Sequence, residues 1–287
     1  MKRILLGLWL TSVLSQTSLA TDTPTTLWTV NGFDQPESAL MDPERSYVYV
    51  SNINGDPDEK NGQGYLSRLT TDGRLTEQRW VTGLNAPKGM AIHDGYLYVA
   101  DIDRLVKIEL NTGRWVRDFT APEALLLNDV VANGNGTLYV SDMVGNALYR
   151  LQGGEFVAWI RDDRLMHPNG LTIHDGALIV AAWGTPINAD FSTAQPGSLL
   201  RIDLTTYTIT EIDGGESLGN LDGLVRVDSG YVVSDWMSGT LMRIGDEGRR
   251  TVLAHWTMGL ADIGGAGSTL VVPFTMDGEI RAVSVAP

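Results

Sequence analysis

The chain of 287 residues has no cysteine, so neither a disulfide framework nor a thiolate metal site enters its chemistry. Basic residues are scarce beside acidic ones, 21 Lys and Arg against 35 Asp and Glu, and the formal net charge is −14. A surplus of carboxylates repels phosphate backbones and leaves no basic stripe, which argues against nucleic acid as a partner. The same carboxylates, gathered in one place, would attract a divalent cation. No phosphate loop and no H-E-x-x-H pair occurs, which argues against nucleotide hydrolysis and zinc peptidase chemistry. Beyond residue 20 no apolar run approaches the roughly 20 residues that a membrane-spanning helix needs.

The one long apolar run, Ile4 to Leu14, follows Lys2 and Arg3 and is closed by Ser18-Leu19-Ala20. A positive start, a short apolar centre and a small-x-small ending are the three parts of a secretory signal. Residues 1–20 are therefore read as a signal peptide cleaved after Ala20, and 21–287 as a single exported domain, periplasmic or secreted. Without disulfides such a domain relies on a large core or a bound ion, and its length suffices for the core.

Comparison of the chain with itself reveals its organisation. A polar anchor enters an apolar strand six times: Glu37 in PESAL, Lys88 in PKGMA, Asn128 in LNDVV, Asn169 in PNGLT, Asp222 in LDGLV and Asp262 in LADIG. The separations are 51, 40, 41, 53 and 40 residues, close to the ~40–50 of one four-stranded propeller blade. The two excesses fall at 52–64 and 184–197, where Gly, Pro, Asn and Asp crowd as they do in loops. Second strands such as YLYVAD and LYVSD are β-branched and aromatic. Third strands such as RLVKIEL and GSLLRIDL alternate polar and apolar residues.

Only five fourth strands lie between repeats, and the sixth is found at the other end, in TTLWTV at 25–30. An N-terminal strand that completes the last blade closes a ring. The expected fold is all-β: a six-bladed β-propeller of four-stranded blades, closed by the N-terminal strand joining the last blade.

In that architecture the first strand of each blade lines the central channel, so the six anchors converge at one mouth beneath the two long loops. Glu37, Asn128, Asn169, Asp222 and Asp262 are oxygen donors, which suit calcium better than zinc. Singly, each is better explained by a bond to the turn at its own strand start; recurrence in register around a ring reverses that preference in favour of a shared ligand role. Lys88 is expected to point away from a metal, or toward a substrate carbonyl or carboxylate. Trp183 and Trp236 occupy equivalent places after second strands and are candidates for the pocket wall. Asp142 and Asp235, which end second strands, either support the site or cap turns.

These residues resemble the family of senescence marker protein (regucalcin), gluconolactonase and paraoxonase-like propellers, over essentially all of 21–287. The most specific pieces are PES at 36–38, LLLNDVVANGNGTLYVSD at 125–142, HPNGLTIHDG at 167–176 and LDGLVRVDSGYVVSDW at 221–236. By that resemblance Glu37, Asn169 and Asp222 match metal ligands, and Asn128 an amide that touches metal or substrate. It implies one divalent cation, most simply calcium, with magnesium, manganese or zinc as alternatives. It also implies hydrolysis of a small lactone or related ester, with Asp222 taking part in proton transfer and His167, the one histidine placed on that face, a candidate catalytic residue. Leu126 stands where sugar-lactone members commonly carry Arg, and so points to a more apolar or differently shaped substrate. The alternative reading is a non-catalytic, metal-stabilised propeller that binds a small ligand or a protein.

Overall fold

The computed structural model describes residues 23–285; the signal-peptide reading of 1–20 lies outside the described residues. Six four-stranded antiparallel sheets follow one another around a ring. Among the described residues there is no α-helix, only a 3-10 turn at Asp163–Leu165, and no helix is long and apolar enough to cross a membrane.

The first blade sets the pattern: Pro36–Asp42 innermost, then Tyr47–Asn52, Gly64–Thr70 and Leu75–Leu84 at the rim. Its second strand is buried through Val48, Tyr49, Val50 and Ser51 because neighbouring blades cover both of its faces, which is why such strands read as apolar runs. Third strands keep one cation at a matching place, Arg68, Lys107, Arg150 and Arg281 among them. Each lies over an aromatic ring, as Lys107 does over Tyr96 at 3.7 Å, so that the charge stays wet while stem and ring cover the sheet.

The sixth blade is composite. Thr25–Asn31 pairs with Glu279–Ser284, setting Val30 opposite Ile280, and Thr269–Phe274 and the short inner strand Gly264–Ala266 complete the sheet. Ring closure by the N-terminal strand is therefore as read from the sequence. The core lies between blades, one apolar cluster per junction. The cluster joining the last blade to the first contains Trp28, Val48, Val50, Val271 and Ile280, and five others repeat the arrangement around the ring. At about 1.5–3 kcal/mol per fully buried large aliphatic side chain, these junctions supply the stability that disulfides do not.

One long segment departs from its reading as a plain loop. Residues 184–197 form a two-stranded hairpin, Gly184–Ile187 against Thr193–Pro196, with Asn188 and Asp190 closing its tip through Ser192. Asn and Asp there serve as turn formers between two strands too short to be recognised by alternation.

Candidate functional site at the channel mouth

The anchors are presented by a repeated irregularity. In the first blade Pro36 pairs with Asn52 and Ala39 with Val50, so Glu37 and Ser38 stand opposite Ser51 alone. The same extra residue occurs at Lys88-Gly89, Asn128-Asp129, Asn169-Gly170 and Asp222-Gly223. Such a β-bulge twists the strand locally and re-aims one side chain, here five times toward the channel. In three blades the serine opposite the bulge accepts the N–H that the ladder leaves over: Ser38 N to Ser51 Oγ at 2.9 Å, Asp129 N to Ser141 Oγ at 2.8 Å and Gly223 N to Ser234 Oγ at 2.7 Å. The glycine after Asn169 answers to a close approach: a Cβ on Gly170 would lie 2.1 Å from the Asp222 carbonyl oxygen.

Glu37, Lys88, Asn128, Asn169, Asp222, Trp183 and Trp236 all line one cavity of about 260 Å³ at this mouth. Within it, Glu37 Oε2, Asn128 Oδ1, Asn169 Oδ1 and Asp222 Oδ1 are buried and have no hydrogen-bond partner. The amides are oriented by their nitrogens: Asn169 Nδ2 donates to the Leu221 carbonyl at 3.3 Å and Asn128 Nδ2 to Met143 Sδ at 3.7 Å, which frees both oxygens. Four bare oxygens from four blades, each costing about 1–3 kcal/mol if left unmet, fit a hard cation. Among the described residues no three His, Cys, Asp or Glu gather as a metal centre. The donor set here has two carboxylates completed by two amides, a composition open to calcium and unsuited to softer metals.

Electrostatics agree. Burial, then the facing Asp222, pushes the Glu37 carboxyl well above its ordinary range, and burial, then Asp262, does the same to Asp222. Burial lowers the Lys88 ammonium, against the pull of Glu37, Asp101, Asp58 and Asp222. Two carboxylates buried in one cavity beside a single ammonium call for further positive charge.

Lys88 is 2% exposed, and its Nζ donates to the carbonyls of Pro57 at 2.8 Å and Ala86 at 2.9 Å. It thereby fastens the long loop 53–63 to the channel wall, helped by Lys60 to Asp103 at 2.5 Å and Gly62 N to Asn85 at 3.2 Å. Two of its three N–H groups are thus spent on backbone.

Asp262 does not join the mouth. It precedes the sixth inner strand, has no bulge to turn it, bonds Ser38 Oγ at 2.5 Å, and lines a second cavity of about 320 Å³ with Asp129. Burial raises its carboxyl to about 7. His167 is not among the cavity-lining residues; its Nδ1 lies 2.9 Å from the Met143 carbonyl and its N–H is bound by Asn146 Oδ1. Asp142 caps the N–H groups of Leu125, Leu126 and Gly145, and Asp235 those of Met237 and Ser238, so both act on turns. The spacing G-x-S-x-G occurs at Gly215 to Gly219, on a loop with no following helix and with Ser217 exposed, hence without the strand-to-helix elbow that activates such a serine. Phe191, Met143, Gln35 and Ile53 line the mouth cavity without having been legible as site residues; each reaches it from a loop or strand end whose path depends on other blades.

No protein-family model matches the chain, and no curated protein does. Solved structures do. A calcium-binding protein, regucalcin, from Agrobacterium tumefaciens is 18% identical over 92% of each chain with a TM-score of 0.61. A catalytically inactive virginiamycin B lyase from Staphylococcus aureus with quinupristin is 15% identical over 90% of this chain and 99% of its own, TM-score 0.58. A chain of a nidogen/laminin complex is 15% identical over 79% and 88%, TM-score 0.63. At these identities the likeness is one of fold.

Proposed function

We propose that this propeller is a metal-dependent hydrolase of a small lactone or related ester, acting outside the cytoplasm and holding one calcium-type cation through Glu37, Asn128, Asn169 and Asp222. The observation that carries it is the set of four buried, unpartnered oxygens in one cavity. The calcium-binding description of the regucalcin structure and the sequence motifs point the same way. A bound cation would supply the positive charge that a carbonyl oxygen needs as it becomes negative. Asp222, buried in the cavity and deprotonated once a cation is bound, is the candidate to accept a proton beside the reacting carbonyl. Glu37 and the two amides hold their oxygens in place from inner strands, and Lys88 lines the same cavity.

A second reading, binding without turnover, is favoured by one feature: among the described residues no histidine lines the cavity, and His167 is turned to the Met143 carbonyl, which leaves proton transfer to groups that also serve as ligands. Thermal unfolding decides the metal. Calcium at about 100 times its dissociation constant adds roughly 2.7 kcal/mol, or roughly 5–10 °C here, and Asp222→Ala and Glu37→Gln lose that rise. If no divalent cation moves the melt of the unaltered protein, the reading fails. A lactone and ester screen on the calcium-loaded protein then separates hydrolase from binder.

A further inference from the structure

We propose that the hairpin 184–197 makes the mouth cavity selective for lactones or esters carrying an apolar alkyl or aryl group, and against polyhydroxylated ones. This rests on the hydrolase reading for its substrate class and on the cavity wall for its selectivity.

The hairpin leaves the second strand of the fourth blade at Trp183 and returns across the mouth. Trp183 Nε1 donates to the Phe191 carbonyl at 2.8 Å, so the indole spends its only polar atom on fastening the hairpin tip. Phe191 is held at φ 62°, a left-handed conformation costly for a bulky residue. The bonds that hold it there are Phe191 N to the Asn188 carbonyl and Asn188 N to the Ser192 carbonyl, each 2.9 Å. From the fifth blade Asn220 Nδ2 braces the hairpin base at the Trp183 carbonyl and Thr193 Oγ1, both at 2.9 Å. The outcome is an aromatic corner, with Trp183 and Phe191 centroids 6.4 Å apart and nearly perpendicular, and Trp183 and Trp236 6.1 Å apart. Leu126 and Met143 pack against it from the third blade.

Several polar groups of the cavity outside the four cation-facing oxygens are committed elsewhere. Gln35 Oε1 takes Gly55 N, Thr275 Oγ1 donates to the Pro36 carbonyl, Asp190 holds Ser192, and Lys88 spends two donors on backbone. A sugar ring drawn inside would leave several hydroxyls unpaired, at about 1–3 kcal/mol each. Apolar groups meet no such penalty. The way in is apolar too: Met276 lines the cavity at 61% exposure, and Leu125, Val144 and Met258 are exposed on connections at the same face.

The test is calorimetric binding of unreactive γ-lactams to the calcium-loaded protein: an ethyl, butyl and hexyl series, and gluconolactam as the polyol. Affinity is expected to rise roughly threefold to fourfold per added methylene until the wall is covered, with gluconolactam at least tenfold weaker than the hexyl compound. Phe191→Ala should flatten the chain-length dependence, and Met276→Ser, at an exposed site where folding is not at stake, should weaken the hexyl compound alone. Gluconolactam binding as tightly as the hexyl compound, no dependence on chain length, or no binding by any member overturns the proposal. Turnover of the matching lactones is followed separately. Alkyl lactams that bind while alkyl lactones are not hydrolysed leave the selectivity standing and sink the hydrolase reading; hydrolysis of gluconolactone without alkyl preference does the reverse.

Discussion

Lys88 and Pro57 are joined across two blades: the buried ammonium donates 2.8 Å to the carbonyl of a residue in the neighbouring blade's long loop. One side chain thus both covers the mouth and partly neutralises Glu37 and Asp222. Lys88→Met is expected to cost about 2–3 kcal/mol in the metal-free protein, since bonds from a charged donor are worth about 1.5–3 kcal/mol. Because a competing cation has gone, calcium should stabilise the variant by more than it stabilises the parent. Melting with and without calcium checks both; a calcium shift equal to or below the parent's contradicts this role.

The raised carboxyls give the metal-free protein a defined pH response. Asp262 titrates at about 7 when folded and near its ordinary value of about 3.9 when unfolded. Between these the folded state binds the extra proton, so stability is full at the acid end and falls as pH rises toward 7. Glu37 and Asp222, also raised, act in the same direction. The melting temperature is expected to climb as pH is lowered from 7.5 to 5, and Asp262→Asn should flatten part of that slope. A melt that falls over the same interval would refute the sign.

Cation binding should reverse the preference of Glu37 and Asp222 for the protonated form and so release protons. Calorimetric titration with calcium at pH 6, in two buffers of different ionisation enthalpy, is expected to show a net release that is smaller at pH 8. Equal heats in both buffers at pH 6 would deny that these carboxyls are the ligands.

Asp142 holds three backbone N–H groups. Asp142→Ala is expected to lose about 2–3 kcal/mol, read as a melt lower by roughly 4–10 °C, with the calcium-dependent rise retained. Loss of that rise would move Asp142 from the turn to the site.

Gly170→Ala would drive a methyl into the Asp222 carbonyl, 2.1 Å away and part of a neighbouring inner strand. Rigid backbone yields little, so a loss of about 1–3 kcal/mol is expected, together with weaker calcium binding as Asp222 is displaced. Unchanged calcium affinity would separate the bulge geometry from the site.

The ring itself was written in the sequence. Six anchors at blade spacing, strands of period two, and an unpaired TTLWTV at the start dictate six blades and their closure, because each junction must bury two apolar faces and leave no inner strand unmatched. Glu37, Asn128, Asn169 and Asp222 were legible for the same reason: repeats in register place equivalent residues on one circle. Registration alone overreached at Asp262, since the sixth inner strand is three residues long and lacks the bulge that turns its neighbours' side chains. The serines one place before the ends of these second strands carried a signal whose meaning needed the fold: Ser51, Ser141 and Ser234 accept the N–H of the residue across the ladder only once the bulge exists. What the tertiary structure alone decided is the chemistry of the wall. Lys88 bonding a loop carbonyl, Trp183 latching Phe191 and His167 facing Met143 depend on which atoms of distant segments come within 3 Å. Hydrogen bonds are directional and short, and sequence spacing does not encode such meetings between blades.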